Sequence, residues 1–474
     1  MKKTFILLLI FLSLLFAQKD LRLINSTYLG NEKRNYYGKN APDSLNLIWK
    51  SYLGEAITRV GQKERVWKGS GWTGQPLMVE ESAKRYLIHG SLSHYLRKID
   101  AENGEIIWEH KFDDAIKGTP ALWQSPQGEW LILQGSRRGV KNSTWSSKIY
   151  PFRAISYQEG EERWRYRVKR GSTSSYSADV DATPLIIKDT VYLPLEIGEL
   201  VVFDPDPEKA EIHGDYAIPK TLEKHKLYHS DDKIKHGYNL VTESSPSRIG
   251  DHIYISSGSG HVYGYNLKTR EIDWDFFTGA DMDGSATVTY DNCILVTVEK
   301  EYIDGEGGVF KLDPSKPADS SCVVWYYPTG NDEREGATWE GGVIGTASVN
   351  DLTKDPEAPY LAAVSAIDGY LHVLIHDKLD TIITYGPNLK HRYPQPKRKA
   401  KHWISQSIST PIFVDDKIVA ASYSGVSLFK VSKSGRVSKI QRRYIGGVES
   451  TPFVYNRRIY IGSRDGYLYC LGDE

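Results

Sequence analysis

Two short acidic pairs carry the most chemistry in this sequence: Asp179-Val180-Asp181 and Asp281-Met282-Asp283, with Glu243 between them along the chain. In an extended backbone residues two apart project to the same side, so each pair presents two carboxylates together. Carboxylates gathered this way suit calcium, which takes roughly six to eight hard oxygen ligands; no cofactor is expected, and Asp181, Glu243 and Asp283 are the residues that could hold a calcium ion. They equally suit a lysine-rich or amine-bearing partner. Hydrolysis by paired acids needs a defined separation between the two groups, which spacing along the chain does not supply.

These acids hold a fixed place in a repeat. Short β-forming runs open at Gln75-Pro76, Thr119-Pro120, Thr183-Pro184, Ser245-Pro246, Ser285-Ala286, Thr346-Ala347, Thr410-Pro411 and Thr451-Pro452. The openings recur every 40 residues or so, some with about 20 more, a period of propeller type. Three residues upstream of each opening Pro or Ala stand Thr73, Lys117, Asp181, Glu243, Asp283, Ile344, Ile408 and Glu449; five upstream, Asp179 and Asp281 are added. The third, fourth and fifth units therefore contribute an acidic arc to one end of the ring, with Glu449 beyond it and Lys117 beside it.

The unit that opens at Pro246 shows the elements. Arg248-Ile249, His252 to Ser256, His261 to Asn266 and Glu271 to Phe277 alternate β-branched and aromatic residues between Gly, Asn and Asp turns, which predicts four antiparallel strands. Such a meander buries little alone, and radial repetition protects its edges. The last unit ends after three strands, while Leu45 to Tyr52 has the form of a lone fourth strand. Pairing the two closes the ring. The expected fold is all-β, a single eight-bladed β-propeller over residues 45–474, after a signal peptide at 1–17 and an extension at 18–44.

The turn-and-tryptophan pattern in Ile99-Asp-Ala-Glu-Asn-Gly-Glu-Ile-Ile-Trp108, and more loosely in Tyr265 to Trp274, resembles the docking repeat of the pyrroloquinoline-quinone (PQQ) type propellers. The resemblance extends over nearly the whole chain after residue 45. It makes Trp49, Trp108, Trp164, Trp274 and Trp325 inter-blade packing residues, with Tyr216, Ile382-Ile383 and Ile440-Gln441 near the expected place in blades three, six and seven. Fold alone does not fix function: this family includes quinone dehydrogenases and outer-membrane assembly scaffolds. In the dehydrogenases the cofactor lies under a disulfide of two adjacent cysteines, with calcium and a basic aspartate. Cys293, Cys322 and Cys470 are not adjacent, so PQQ is not expected and the chain resembles the scaffold branch.

Labelling the strands of a blade A to D from the centre, the B to C and D to A connections share one face. The longer connections expected there are 218–240, 328–342 and 387–405 between blades, and 135–150 and 299–308 within blades; 351–358 is an insertion on the opposite face. Loops on a rigid scaffold are where binding concentrates. Arg137-Arg138 and His402 are expected on this face too. One connection holds His225, His229 and His236, and another the basic run from Lys390 to His402. The histidines suit zinc or copper by type, though their spacing matches no familiar ligand pattern. The string Asp304-Gly-Glu-Gly-Gly308 lacks the Lys-Ser/Thr of a phosphate loop and reads as a turn.

Lysine and arginine balance aspartate and glutamate at 60 each, which gives no bias toward nucleic acid. Met1-Lys-Lys3, an apolar run from Phe5 to Phe16 and Ala17 form a bacterial-style export signal, too short for a membrane span. A periplasmic or extracellular protein is expected, not membrane-spanning once the signal is cleaved. The three cysteines leave at least one unpaired; Cys293 and Cys322 lie two strand spacings apart, beyond the about 7 Å that a disulfide allows. The reading that follows is a non-catalytic scaffold binding a protein, glycan or envelope component; the alternative is a quinone- or calcium-dependent dehydrogenase-like enzyme.

Overall fold

A computed structural model describes residues 21–171, 175–332 and 338–473; the expected signal peptide lies outside the described residues. Eight sheets of four or five strands, antiparallel except for one short parallel pair in blade eight, form the blades, as the repeat predicts. Blade one runs through Leu77–Glu81, Lys84–Gly90, Tyr95–Asp100 and Ile106–Lys111. Blade eight combines Phe453–Tyr455, Arg458–Gly462 and Tyr467–Gly472 with the early strand Asn46–Tyr52, and Trp49 lies opposite Cys470. The closure is the one read from the two ends of the chain.

The hydroxyls of the blade openings form a belt. The N–H of Gln75 donates to Thr119 Oγ1 at 2.8 Å, Thr183 to Ser245 Oγ at 2.9 Å, Ser245 to Ser285 Oγ at 2.8 Å, Ser285 to Thr346 Oγ1 at 3.0 Å and Thr346 to Thr410 Oγ1 at 3.0 Å. Backbone donors that no sheet partner can reach are thereby satisfied, which is the physical reason for Ser or Thr at these steps.

Docking tryptophans link blade to blade in the same manner. The indole N–H groups of Trp49, Trp108, Trp164, Trp274 and Trp325 donate to the carbonyls of Ala101, Tyr157, Pro205, Lys316 and His376, each in the next blade. Gly104 and Gly160 lie flat against Trp49 and Trp108, where a Cβ would come within 2.6 and 2.9 Å of the rings. Each docking tryptophan sits at a register shift in its outer strand. The same shift identifies Glu223, Ala400 and Gln441 in the other blades. Gln441 falls within the expected Ile440-Gln441 step, whereas Tyr216 belongs to an added hairpin, Glu211–His213 with Tyr216–Ile218, and Ile382-Ile383 to an exposed extension of blade six.

Residues 21–39 cross the ring. Leu21–Asn25 pairs with the inner strand of blade one, and Gly38–Lys39 pairs in parallel with that of blade eight. Between them Tyr28 OH meets Thr410 Oγ1 at 3.0 Å and Thr346 Oγ1 at 3.3 Å. Arg34 is fully buried and donates to the carbonyls of Pro246 (2.9 Å) and Tyr28 (2.8 Å), while Asn35 donates to Val288 O at 3.0 Å. This strap lies past the hydroxyl belt on the side away from the acidic arc. The central opening is therefore a funnel with a floor.

Candidate functional site

The funnel acids come from three blades, each held at the point where chain enters an inner strand. Asp181 is wholly buried and ion-pairs with Lys117, whose Nζ also lies 3.5 Å from Glu243 Oε1. Asp179 is bound instead by Arg137 Nε at 2.8 Å and the Arg138 N–H at 3.0 Å. Arg137 reaches on to Thr58 Oγ1 (2.5 Å) and the carbonyl of Arg59 (3.0 Å). That ties the face to an unforeseen hairpin, Glu55–Val60 with Lys63–Lys68, inserted between blades eight and one. Asp281 accepts from Asn239 Nδ2 at 2.7 Å, and its other oxygen, Oδ1, has no partner.

Glu196, Glu299 and Glu301 complete the cluster. The donor oxygens of Asp181, Glu196 and Glu243 lie within 4.8 Å of one another, as do those of Asp281, Glu299 and Glu301. Glu196 and Glu299 each directly follow a second strand, Thr190–Leu195 and Ile294–Val298. Counting from the blade opening misses them; counting from the end of strand B, on the same face, would have found both.

Electrostatics separate these acids. Burial pushes Asp181 up to about 7, Glu243 and Asp179 adding to the rise against the opposing pull of Lys117. Asp281 rises to about 7 through burial and then Glu301, and Glu299 to about 9 through burial, Asp281, Glu301 and Glu243. Burial and neighbouring acids also hold Glu196 and Asp283 well above the ordinary carboxylate range. Asp179 differs: burial opposes its charge, but Arg137, Lys117 and Arg138 together bring it below the usual value. Lys117 is raised because the surrounding carboxylates outweigh its burial. Among the described residues, Lys117, Arg137 and Arg138 are the cations that ion-pair with this set. Like charges this close cannot all ionise without another cation.

Other expected face residues lie elsewhere. Glu449 is engaged by Arg464 at 3.1 Å and by Tyr423 OH at 3.0 Å, apart from the acidic arc. His402 lies in the outer strand of blade six, its Nε2 3.2 Å from Val437 O. The basic run is not a loop: Arg392–Trp403 is a strand paired with the 16-residue strand Tyr370–Tyr385, whose far end passes blade five. The connection between blades three and four begins after Thr221–Lys226, not at residue 218. All three cysteines are free and buried.

No curated protein matches this chain. Among solved structures it is similar to BamB from Moraxella catarrhalis, at 14% identity and TM-score 0.52, covering 91% of this chain and 98% of that one. It is also similar to a europium-containing methanol dehydrogenase, at 12% identity and TM-score 0.54 with 92% and 89% covered. A computationally designed protein, Ika8, matches at 10% identity and TM-score 0.52, with 90% and 100% covered. At these identities the likeness shows the fold. The sequence family described as outer membrane protein assembly factor BamB matches residues 43–316, more than half of the chain, and this eight-bladed propeller belongs to that PQQ-like family.

Proposed function

We propose that this chain is an exported, non-catalytic scaffold of the cell envelope whose funnel receives a cationic side chain of a protein partner. One observation carries this reading: a buried set of carboxyls with raised affinity for protons, three of which keep an oxygen without a partner, Asp181 Oδ1, Glu196 Oε1 and Asp281 Oδ1. An incoming ammonium or guanidinium supplies the missing charge and donors. The loops around the opening supply the rest of the contact, and family membership favours a scaffold role. Among the described residues no helix is long and apolar enough to cross a membrane.

The test is capture of partners from an envelope extract by the wild-type chain and by an Asp283→Asn, Glu243→Gln double variant of unchanged fold. Partners retained by the wild type and lost by the variant, and released by moderate salt, are the expected result. Equal capture by both chains refutes the funnel as the interface.

Calcium is the second reading, favoured by the convergence of Asp181, Glu196 and Glu243. Calorimetric titration with calcium tests it, and Asp181→Asn abolishing the heat is the outcome expected of that site. An anionic quinone fits poorly among carboxyls that already lack counter-charge, and the cysteines sit in blades five and eight. Dye-linked alcohol oxidation by protein mixed with quinone and calcium would overturn the non-catalytic reading.

A further inference from the structure

The connection from blade three to blade four assembles a second ligand set, independent of the funnel acids. His229, on that connection, places Nε2 2.7 Å from Oδ2 of Asp275 in the strand Glu271–Phe277. His261, at the start of the neighbouring strand His261–Asn266, places Nδ1 2.6 Å from Oδ1 of the same carboxylate. One donor atom from each of His229, His261 and Asp275 lies within 4.8 Å of the other two. The remaining nitrogen of His261, Nε2, is 3.4 Å from Oδ2 of Asp232. Asp232 is itself buried and fixed by the His229 N–H at 2.6 Å.

A neutral imidazole has one N–H to donate, yet His261 faces a carboxylate at each nitrogen. One nitrogen must carry a second proton or face a metal ion. Metal-bound histidines characteristically donate their free N–H to a carboxylate, which is the role Asp232 is placed to fill if Nδ1 is the ligand. Two imidazole nitrogens and one carboxylate are the donor set of zinc-type divalent ions with a position left open. The set is reached from the surface on the side of His229, whose side chain is 59% exposed.

We propose that His229, His261 and Asp275 bind a divalent transition metal of the zinc type, with Asp232 orienting His261. His225 takes no part: it pairs with Glu223 at 3.0 Å. The sequence therefore offers the right loop and only one of the right ligands. The bound ion fastens the blade-three to blade-four connection to the edge of blade four. Because the same connection carries Asn239, whose amide holds Asp281 at 2.7 Å, the metal also steadies one wall of the funnel.

The probes are cobalt(II) and zinc added to the metal-free full chain. A visible cobalt band that saturates at one equivalent and is displaced by zinc is expected. His229→Ala, at an exposed side chain, should keep the fold by circular dichroism and lose the band; Asp232→Asn should weaken zinc about 10- to 100-fold while keeping the band. Asp181→Asn, in the funnel, should leave cobalt binding unchanged. Absence of a saturable band in the wild type overturns the proposal, as does a band unaltered by His229→Ala.

Discussion

Replacing Glu299 by glutamine should stabilise the protein, and more so as pH rises. The side chain is nearly buried, 5% exposed, and burial together with Asp281, Glu301 and Glu243 raises its carboxyl from 4.5 to about 9. Between these two values the folded chain keeps a proton that the unfolded chain releases. With more protons bound in the folded state, stability falls as pH increases, by about 1.4 kcal/mol per pH unit for one group. Below the unfolded value both states are protonated and the penalty vanishes. Glutamine resembles the protonated acid in shape and does not titrate. From pH 5 to pH 8 the variant's advantage should therefore grow by up to about 4 kcal/mol, three units at about 1.4 each, less whatever local relaxation recovers.

The assay is urea unfolding of both chains at pH 5, 6, 7 and 8 with a chelator present. Taking the difference at each pH removes the contribution of other titrating groups, including His89, whose burial lowers it to about 3. A difference that does not vary with pH would refute the argument, because it would mean that Glu299 titrates alike in both states. A variant less stable than wild type at pH 8 would refute it as well. Calcium or a basic peptide that shrinks the difference would identify what normally compensates the site.

Trp325, fully buried and bonded to His376 O at 3.0 Å, should cost about 3–5 kcal/mol when changed to alanine, measured by urea midpoint; loss of under 1 kcal/mol would deny it a docking role. In the strap, Tyr28→Phe removes the hydroxyl contacts with Thr346 and Thr410 and should lower stability by about 1 kcal/mol. Gly38→Ala should do more harm, since φ is +121° and a Cβ would stand 1.7 Å from Val454 O; equal melting temperatures for Gly38→Ala and wild type would exclude a seated strap. Burial pushes the thiols of Cys293, Cys322 and Cys470 up to about 12, so a thiol reagent at pH 8 should label none in the native chain and all three in urea.

The ring was legible because its opening steps must supply hydroxyl acceptors for stranded backbone donors, which forces Ser or Thr into step with the blades. Asp181, Glu243 and Asp283 were legible through the same phase. The strap was not, because its contacts with Thr346, Thr410 and Pro246 join residues hundreds of positions apart. The run from Lys390 to His402 misled for a different reason: Pro394 and Pro396 read as loop residues. They in fact stand opposite Ile383 and Leu379 where the register shifts, on the outermost strand of blade six, the positions at which a sheet tolerates proline.

Buried charge is handled differently in the two halves of the central opening. On the floor, Arg34 has its Nε and Nη1 donors on Pro246 O and on Thr27 Oγ1 and Tyr28 O while Nη2 has no partner, so neutral acceptors offset only part of the cost of burying this charge. In the funnel Asp179 has its two arginines, but Asp181 and Glu243 share the single Lys117, Asp181, Glu196 and Asp281 each keep an oxygen unbonded, and burial and neighbouring acids disfavour the charge of Asp283. A chain able to neutralise Asp179 so fully has the means to neutralise the rest, for instance by another lysine at the place of Ile344 or Ile408 in the same register. It places isoleucine there instead, so the deficit is confined to blades three to five on the open side of the ring. Local departures from an otherwise consistent design concentrate where a protein acts, and a deficit of positive charge is met by a ligand that brings it.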